Sequence, residues 1–369
     1  MQIRANSTAM AAGLCVANDP DGRELCVVVV KGTFHFDRSR RGYLADRQTP
    51  LVYADEYHGD PGLSSIRHEC DFAYFKPRVD VIVQGAAMAP GDRPVRQLQV
   101  RVDIDGWHKV ATVFGDRHWE SGFFGQRMSE PKPFTMMPLL YENSFGGIVR
   151  ASSKDGDRCI DVCLENPVGV GIYGQASSGD REPRLPNIER PQDLIKHRHD
   201  RPQPIGFGVV ARSWQPRLAA AGTYDDRWFQ EKYPFLPQDF SPAHFMCAPG
   251  DQQLSQLTGG EMIRCTNMTT EGTWSAVVPT IHFPVSFKFA NRTEQLQPML
   301  DTLLVEPQAD RMVLIWRAAA RLGHRLVDLR EVVIGEQAVV PVPERAFGKL
   351  KFRSLSELVA WRRAEREEA

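Results

Sequence analysis

Short apolar segments separated by turn residues are the feature that most constrains the fold of this chain. Residues 25–36 are β-branched, apolar and aromatic, and residues 98–104 alternate apolar with polar side chains. Such alternation is typical of a half-buried strand. Asp105 and Gly106 then lead into a second strand-like segment at residues 107–114, so we predict a β-hairpin here. Frequent turns between short strands indicate a sandwich or an open barrel.

The second half of the chain mixes strand patterns with a few helix patterns. Strand character is found at residues 273–289, 298–304, 311–318 and 331–340, and in the first half also at residues 78–83. Short helices are predicted at residues 193–199 and 224–232. The clearest helix is residues 354–367, where Ser354 and Glu357 fit a capping box that satisfies the first free amides.

The overall prediction is a mainly β protein with minor α content. We expect a sandwich- or barrel-like N-terminal unit at residues 1–174, packed on a second mixed, β-rich unit at residues 207–369 that ends in a helix. Residues 175–206 are rich in proline and charge. This composition predicts an irregular connection that lies over the surface as an arm.

Composition favours a soluble cytoplasmic protein. The 369 residues carry a formal net charge of −1, so no global field attracts nucleic acid or an anionic membrane. The longest strongly apolar run, residues 25–30, is far too short to span a bilayer. The seven cysteines are scattered without a Cys-x-x-Cys pair, and the N-terminus lacks a signal-peptide pattern. Reduced thiols, and neither a nucleic-acid nor a membrane partner, are therefore expected.

Two stretches, residues 136–147 and 166–171, combine bulky apolar residues with Pro, Asn and paired Gly. They contain no complete set of catalytic groups. We interpret them as rigid turns that hold a shape rather than perform chemistry. The residues to which we assign this structural role are Pro138, Glu142, Gly146, Gly147, Asn166 and Pro167.

Residues 169–174 formally match the dinucleotide-binding pattern Gly-x-Gly-x-x-Gly. That site needs a preceding strand and a following helix whose N-terminus meets the phosphates. Here an Asn-Pro pair precedes the motif and a proline-rich stretch follows it. A structural turn is the better interpretation, and we predict no cofactor.

Metal-binding patterns are weak. His197 and His199 would lie on one face if they were in a strand, but further ligands at His58, His68 or Cys70 lack dense spacing. We expect surface histidines and no metal site.

Cys159 and Cys163 lie in a strand-like segment. Buried thiols on one face are expected there, rather than a disulfide or a metal site.

Catalytic candidates are equally sparse. No Gly-x-Ser-x-Gly nucleophile elbow occurs. Glu142 and Asp251 are candidate acid or base residues only in the general sense that any carboxylate is, and hydrogen bonding to turn amides is the simpler role. We predict no catalytic residue and no enzymatic activity.

Several aromatic residues stand beside glycines and charges, and they are candidates for partner binding. Trp, Tyr and Arg dominate the energetically important contacts of protein interfaces. The candidates are Trp119, Trp214, Tyr224 and Trp228. The alternative is a structural role in which ion pairs and stacked rings fix loops over a sheet.

An ordered series of motifs resembles one known family. The series includes Asp-Phe-x-x-Phe-Lys-Pro-Arg at 71–78, Val-Phe-Gly-Asp-Arg-His-Trp at 113–119, Asn-Pro-x-Gly-x-Gly at 166–171, Trp-x-Pro-Arg at 214–217, Ala-Gly-Thr-Tyr-Asp at 221–225, Ala-Pro-x-Asp-Gln at 248–252 and Gly-Gly-Glu at 259–261. Together they resemble domain of unknown function 2169 (DUF2169), over most of the chain up to about Trp316. Each fragment is weak alone, and their order is the specific signal.

The resemblance implies a role in bacterial type VI secretion. Proteins of this kind resemble cytoplasmic adaptor-chaperones that bind a toxic effector, often with a PAAR-like domain, and help load it onto the VgrG/PAAR spike. No catalytic residues carry over. Two alternatives stay open: a hydrolase-like enzyme with a carboxylate site near Glu142 or Asp251, and a structural component of the spike.

Overall fold

The computed structural model describes residues 2–122, 125–153, 156–173, 183–322, 328–335, 344–346 and 349–351. Within them the protein is built almost entirely from β-strands, which confirms the predicted β-rich class. The one α-helix among the described residues, α1, is short and covers Asp226–Glu231. It confirms the predicted helix at residues 224–232 with narrower bounds.

The strands are, in chain order, β1 Ile3–Asn6, β2 Ala11–Asn18, β3 Glu24–Phe36, β4 Gly42–Leu44, β5 Glu56–Tyr57, β6 Ile66–His68, β7 Val79–Val83, β8 Ala86–Met88, β9 Gln97–Ile104, β10 Trp107–Phe114, β11 Trp119–Gly122, β12 Gly125–Met128, β13 Met136–Pro138, β14 Phe145–Gly146, β15 Ile148–Ser153, β16 Gly156–Val162, β17 Val170–Gly171, β18 Ile188–Glu189, β19 Gln253–Leu254, β20 Met262–Thr266, β21 Thr273–Val277, β22 Val285–Phe289, β23 Thr293–Leu296, β24 Met299–Glu306, β25 Arg311–Arg321, β26 Leu329–Ile334, β27 Glu344–Ala346 and β28 Lys349–Lys351. Short 3₁₀ turns lie at Pro90–Asp92, Tyr141–Asn143, Ala219–Ala221, Pro242–Phe245, Gly250–Gln252 and Pro307–Ala309.

The largest sheet runs in the order β19-β7-β24-β25-β3-β2, with β4 added to β3. Within this sheet β3 lies between β25 and β2, and both of its faces are covered. Cys26, Val28 and Val30 enter the main core, whereas Val27 and Val29 enter a second apolar cluster on the other side. A strand buried on both faces needs a continuous apolar run, which explains why residues 25–30 do not alternate.

A second sheet, β18-β10-β9-β20-β21, contains the predicted hairpin. Strands β9 and β10 pair antiparallel, with Ile104 opposite Trp107. Asp105 and Gly106 between them both have positive φ, 38° and 90°. Positive φ at both central residues matches the right-handed twist of the two strands and makes the two-residue connection possible.

A third sheet, β1-β26-β22-β23, closes the main core. All three sheets contribute side chains to that core, for example Val28, Val102 and Phe287. The layered arrangement fits the sandwich-like packing expected from the strand patterns.

None of these three sheets is confined to one side of the predicted boundaries at residues 174 and 206. Strand β3 pairs with β25, β9 pairs with β20 and β1 pairs with β26. The two predicted units therefore share their sheets within the described residues.

Residues 183–206 differ from the prediction of a surface arm. Leu185, Asn187 and Ile188 are buried, and β18 adds a strand beside β10. The proline-rich sequence is irregular, as expected, but its apolar side chains help fill the interior. The predicted helix at residues 193–199 is wrong, because a turn closed by Asp200 occupies that position.

Other predicted segments need small corrections or lie outside the described residues. The strand predicted at 273–289 is two strands, β21 and β22, separated by an irregular link with two prolines. Part of the strand predicted at 331–340 and the helix predicted at 354–367 lie outside the described residues.

Candidate functional site

Two of the four predicted partner-binding aromatics are buried. Trp119 is 3% exposed and clusters with Phe145 and Leu185. Trp214 is 5% exposed and makes an edge-to-face contact with Tyr141 at 5.2 Å between ring centroids. The partner role predicted for these two tryptophans does not fit, because their indole rings fill the core and present no surface.

The other two aromatics lie together at the surface. Tyr224 is 53% exposed, and its ring centroid is 4.7 Å from that of Trp228 in an edge-to-face arrangement. Asp225 stands between them as the N-cap of α1, and its carboxylate accepts a hydrogen bond from the Trp228 amide at 2.8 Å. The cap fixes the start of a helix that is too short to be stable alone.

Three further aromatic side chains, which the sequence prediction missed, complete this surface. Phe229 is 65% exposed and Tyr233 is 62% exposed, and their ring centroids are 5.4 Å apart. Phe235 is also exposed, and its carbonyl accepts a hydrogen bond from the Trp228 indole at 2.9 Å. We call Tyr224, Trp228, Phe229, Tyr233 and Phe235 the aromatic cluster. The density of five aromatics over twelve residues is the signal that identifies it in the sequence.

The segment that carries the aromatic cluster is closed on itself by hydrogen bonds. The Thr223 amide donates to Asp239, and the Ser241 amide donates to the Ala220 carbonyl at 2.9 Å. The Phe235 ring lies against the turn at Gly22, where an added Cβ would be 2.9 Å from the ring. The cluster is therefore held on a defined loop rather than on a free strand.

Charged residues surround the aromatic cluster. Arg227 and Glu231 form an exposed i,i+4 pair with a 3.2 Å contact, Asp226 is exposed at the start of the same helix, and Lys232 is exposed at its C-cap. An exposed pair of this kind adds little stability. The arrangement is an apolar centre with a polar rim, which is the usual anatomy of a protein interface.

The residues predicted to be structural form a tight corner. The fully buried Asn166 side chain donates to the carbonyls of Tyr141 and Phe145, at 2.8 and 2.9 Å. Gly146 has a φ of 154°, and a Cβ there would lie 2.1 Å from the Asn166 carbonyl oxygen. Gly147 has a φ of 113° and faces the Gly169 carbonyl. Only glycine fits at these two positions without moving the backbone.

The remaining structural candidates lie around the same corner. Pro138 ends β13 and pairs with Ala86, and Pro167 is half-buried beside Asn166. The Glu142 carboxylate accepts hydrogen bonds from the Ser65 amide at 2.7 Å and from the Ser65 hydroxyl. A carboxylate held in this way ties two loops together.

Asp251 lies elsewhere, at a surface cleft of about 620 Å³. Its carboxylate accepts a hydrogen bond from the Lys109 ammonium at 2.7 Å, and Arg190 lies 3.6 Å away. Lys109 also donates to the Gly206 carbonyl and to the Gln252 side chain, both at 2.7 Å. Burial lowers the pKa of Lys109 to about 8, although the charge of Asp251 opposes this shift. The cleft thus contains a lysine that titrates unusually close to neutrality.

A buried ionic cluster underlies a different part of the largest sheet. Lys76 donates to Asp80 at 2.7 Å and to Thr302 at 3.1 Å. Burial alone would lower the pKa of Lys76, but the Asp80 charge raises it overall. The Cys247 and Ala248 amides also donate to Asp80. The adjoining cavity is only about 40 Å³, so the cluster holds strands together rather than a ligand.

No group of three or more His, Cys, Asp or Glu side chains in the described part of the chain is placed to hold a metal ion. His197 and His199 are exposed in a turn. Cys159 lies in β16, where a strand was predicted, and Cys163 comes directly after that strand. Cys159 is exposed and only Cys163 is buried. The expectation of two buried thiols is wrong for Cys159, because it lies in an open two-stranded ribbon.

The glycine-rich motif forms a turn and a strand in its described part. The Gly169 amide donates to the Asn166 carbonyl, and β17 pairs in parallel with β14. Gly171 has a φ of 116°. Position 174 lies outside the described residues.

Among the described residues, no helix has the length and apolar character needed to cross a membrane.

These features define a β-rich protein with a rigid structural corner and with an exposed aromatic surface. The family model described as uncharacterized protein conserved in bacteria (DUF2169) matches residues 21–317, which is more than half of the chain, and the protein belongs to that family. No curated protein and no solved structure matches the chain.

Proposed function

We propose that this protein is a non-catalytic adaptor that binds a toxic effector of a bacterial type VI secretion system. The effector carries a PAAR-like domain, and the adaptor helps load it onto the VgrG spike in the cytoplasm. The proposal combines the family resemblance with one structural observation, the exposed aromatic cluster.

The aromatic cluster supports this proposal because it leaves a large apolar area in water. Phe229, on α1, and Tyr233, shortly after it, are each more than half exposed, and the segment that carries both is closed by hydrogen bonds. Contiguous exposed apolar surface with a polar rim marks an interaction site. Rigid aromatic side chains lose little conformational entropy on binding, so they are efficient anchors.

An adaptor that uses no nucleotide acts by differential binding. It covers apolar effector surface while the effector is free, and it releases that surface when contacts with the spike become more favourable. The adaptor shifts the equilibrium between the free effector and the spike-bound effector. That shift cannot exceed the difference between the adaptor's binding free energies for these two states.

The hydrolase alternative has one observation in its favour, the cleft beside Asp251. Glu142 does not line that cleft. Its carboxylate is hydrogen-bonded to Ser65 instead. Glu165 does line it, so two carboxylates share the cleft.

The spike-component alternative predicts a symmetric oligomer. Light scattering on the purified chain measures the oligomeric state.

Co-expression with the product of the neighbouring gene tests the adaptor proposal. We expect one peak in size-exclusion chromatography that contains both proteins at micromolar concentration. Independent elution of the two proteins counts against the adaptor function. Hydrolysis of glycan or peptide substrates by the purified chain would favour the enzyme.

A further inference from the structure

Strand β2 is an outer strand of the largest sheet, and one of its two edges has no partner strand among the described residues. Its other edge pairs with β3 over eight consecutive residues, Ala11–Asn18, without a bulge. An outer strand presents a row of amides and carbonyls that can pair with the backbone of another chain. The outer edge of β2 is therefore a candidate interaction surface.

Two hydrogen bonds show which residues of β2 face outward. The Asp19 amide donates to the Arg23 carbonyl beside the turn between β2 and β3. On the other side of β3, the Leu322 amide donates to the Glu24 carbonyl. Because bonded and non-bonded pairs alternate along an antiparallel ladder, the odd-numbered residues of β2 are the ones that bond to β3.

The even-numbered residues of β2 therefore point their amides and carbonyls off the sheet. These residues are Ala12, Leu14, Val16 and Asn18. None of these backbone groups has a hydrogen-bond partner in the described part of the chain. The edge thus offers donors and acceptors at the spacing of an extended backbone, which another strand matches.

The other outer strands of the three main sheets have protections that β2 lacks. Strands β4, β18 and β19 have only two or three residues each, and β1 and β23 carry the charged residues Arg4 and Glu294. The edge of β21 is covered by Arg40, whose carbonyl accepts from the Val277 amide and whose guanidinium donates to the Ser275 carbonyl. Short length, charge and coverage are usual protections against strand pairing. Strand β2 is eight residues long and contains neither a charge nor a proline.

The side chains of β2 are uncharged on both faces of the sheet. Leu14 packs against the main core, and Val16 on the same face is 42% exposed. On the other face, the Tyr53 hydroxyl oxygen would be 3.5 Å from a Cβ added to Gly13, and the Tyr53 ring lies beside Phe72 with 5.1 Å between centroids. Tyr53 is 72% exposed, so an added strand would cover apolar surface on both faces. A charged side chain there would lose water without gaining a partner, so an uncharged strand is favoured.

The outer edge of β2 ends close to the aromatic cluster. The turn that follows β2 contains Gly22, and a Cβ added there would be 2.9 Å from the Phe235 ring. One partner protein can therefore reach both surfaces. Pairing with β2 of a second copy would join only eight residues of each chain, which is few beside the roughly 20–30 residues per side of a stable interface. A flexible segment pairs through its backbone and needs no such area.

We propose that the outer edge of β2 binds an extended, uncharged peptide segment of a partner protein as an additional strand. The backbone groups on alternate residues from Ala12 to Asn18 hold the segment, and its side chains lie against Val16 on one face and Tyr53 on the other. This site uses residues other than the aromatic cluster. It does not depend on the secretion function proposed above.

Fluorescence anisotropy of a labelled peptide, titrated with the full chain, tests this proposal. The probe is Ser-Val-Thr-Val-Ala-Val-Thr-Ser, with a fluorophore at its N-terminus and an amide at its C-terminus. Its control carries N-methyl groups on the central Val-Ala pair. Since successive amides of a strand point to opposite edges, these two groups block both edges of the peptide. We expect the probe to bind at least about 10-fold more tightly than the N-methylated control, because pairing with β2 requires those amides.

Two variants at one position locate the site. Val16→Pro removes an amide that points off the sheet, so no hydrogen bond to β3 is lost and the fold is retained. We expect this variant to bind the probe at least about 10-fold more weakly than the wild type does. Val16→Thr is the matched control, because it keeps the amide and the β-branched shape, and its affinity should stay within about 2-fold of the wild type. Thermal unfolding of both variants checks that each is folded, and the comparison of the two peptides uses the wild type alone.

Four results would overturn the proposal. The first three are equal binding of the probe and its N-methylated control, wild-type affinity in folded Val16→Pro, and no binding of the probe at millimolar concentration. The fourth is a wild-type dimer in light scattering that Val16→Pro dissociates, because the edge would then belong to a second copy of the chain.

Discussion

Single polar side chains hold together segments that are distant in sequence. The Asn166 side chain donates hydrogen bonds to two backbone carbonyls of the structural corner. The Glu142 carboxylate accepts one from the Ser65 amide in a distant loop. The Lys76 ammonium donates to Asp80 and to a side chain on the neighbouring strand β24. Each of these groups is bonded to buried or half-buried partners, so removing it leaves those partners unsatisfied. The loss of such a partner costs more than the net gain from an average hydrogen bond. These residues are therefore sites at which one substitution has a large effect.

Replacing Asn166 with Ala tests the structural corner. Two buried carbonyls lose their donors, and we expect the free energy of unfolding to fall by about 2–4 kcal/mol, measured by urea denaturation. Asn143→Ala is the control, because the half-buried Asn143 side chain donates one hydrogen bond to the Pro138 carbonyl and accepts one from Arg184, both at the protein surface. It should cost less than about 1 kcal/mol. Equal losses in the two variants would show that Asn166 has no special role.

The lowered pKa of Lys109 predicts a dependence of stability on pH. Its folded pKa of about 8 lies below the unfolded value, so between the two the unfolded chain binds more protons. The cost of burying the ammonium is present below pH 8, and it disappears as the pH rises toward about 10.4.

We therefore expect the wild type to gain stability relative to Lys109→Met from pH 7.5 to pH 10, by up to about 3 kcal/mol. Denaturant unfolding of both proteins at matched pH values measures the difference. Other groups that titrate in this window are shared and cancel. Parallel stability profiles would mean that the Lys109 pKa is not lowered.

At the scale of single elements, local patterns predicted the strands well where one face is buried. In β9 the alternation of residues 98–104 matches a strand with alternate buried side chains, and Asp105-Gly106 forms the expected turn. The prediction failed at residues 193–199, where helix-favouring residues are overridden by Asp200, which accepts two amide hydrogen bonds. Such side-chain contacts compete with helix formation and leave no periodic pattern.

Gly106→Ala tests the turn of the hairpin. Gly106 has a φ of 90°, but an added Cβ meets nothing within 4 Å, so the cost comes from the backbone conformation alone. We expect a loss of about 1–2 kcal/mol in thermal or urea unfolding. Gly208→Ala is the matched control, since its Cβ also meets nothing within 4 Å and its φ is not positive. A loss as large at Gly208 would contradict this explanation.

At the scale of the whole molecule, the sequence predicted the class of the fold but not the pairing of its strands. Strand β1 pairs with β26, more than 300 residues away, and the three main sheets each combine strands from both halves of the chain. Local periodicity contains no information about such partners. The buried state of Trp119 and Trp214 was missed for the same reason, because the residues that cover them come from other segments.

The functional surfaces differ in how far the sequence predicts them. The aromatic cluster lies within one short segment, and two of its members, Tyr224 and Trp228, were predicted as partner contacts. The cleft gathers Lys109, Arg190 and Asp251 from three distant segments. Only the folded chain brings those charges together, so no local motif reveals the cleft.

The affinity of the aromatic cluster for the neighbouring gene's product tests the central claim most directly. We would titrate that protein into the wild type, into the double variant Phe229→Ala/Tyr233→Ala, and into the control Tyr43→Ala, which truncates another ring that is more than half exposed. The account predicts that the double variant keeps its thermal stability but binds at least about 30-fold more weakly, because two interface anchors are lost. The control should bind as the wild type does. Wild-type affinity in the double variant would contradict the assignment of the aromatic cluster as the effector-binding surface.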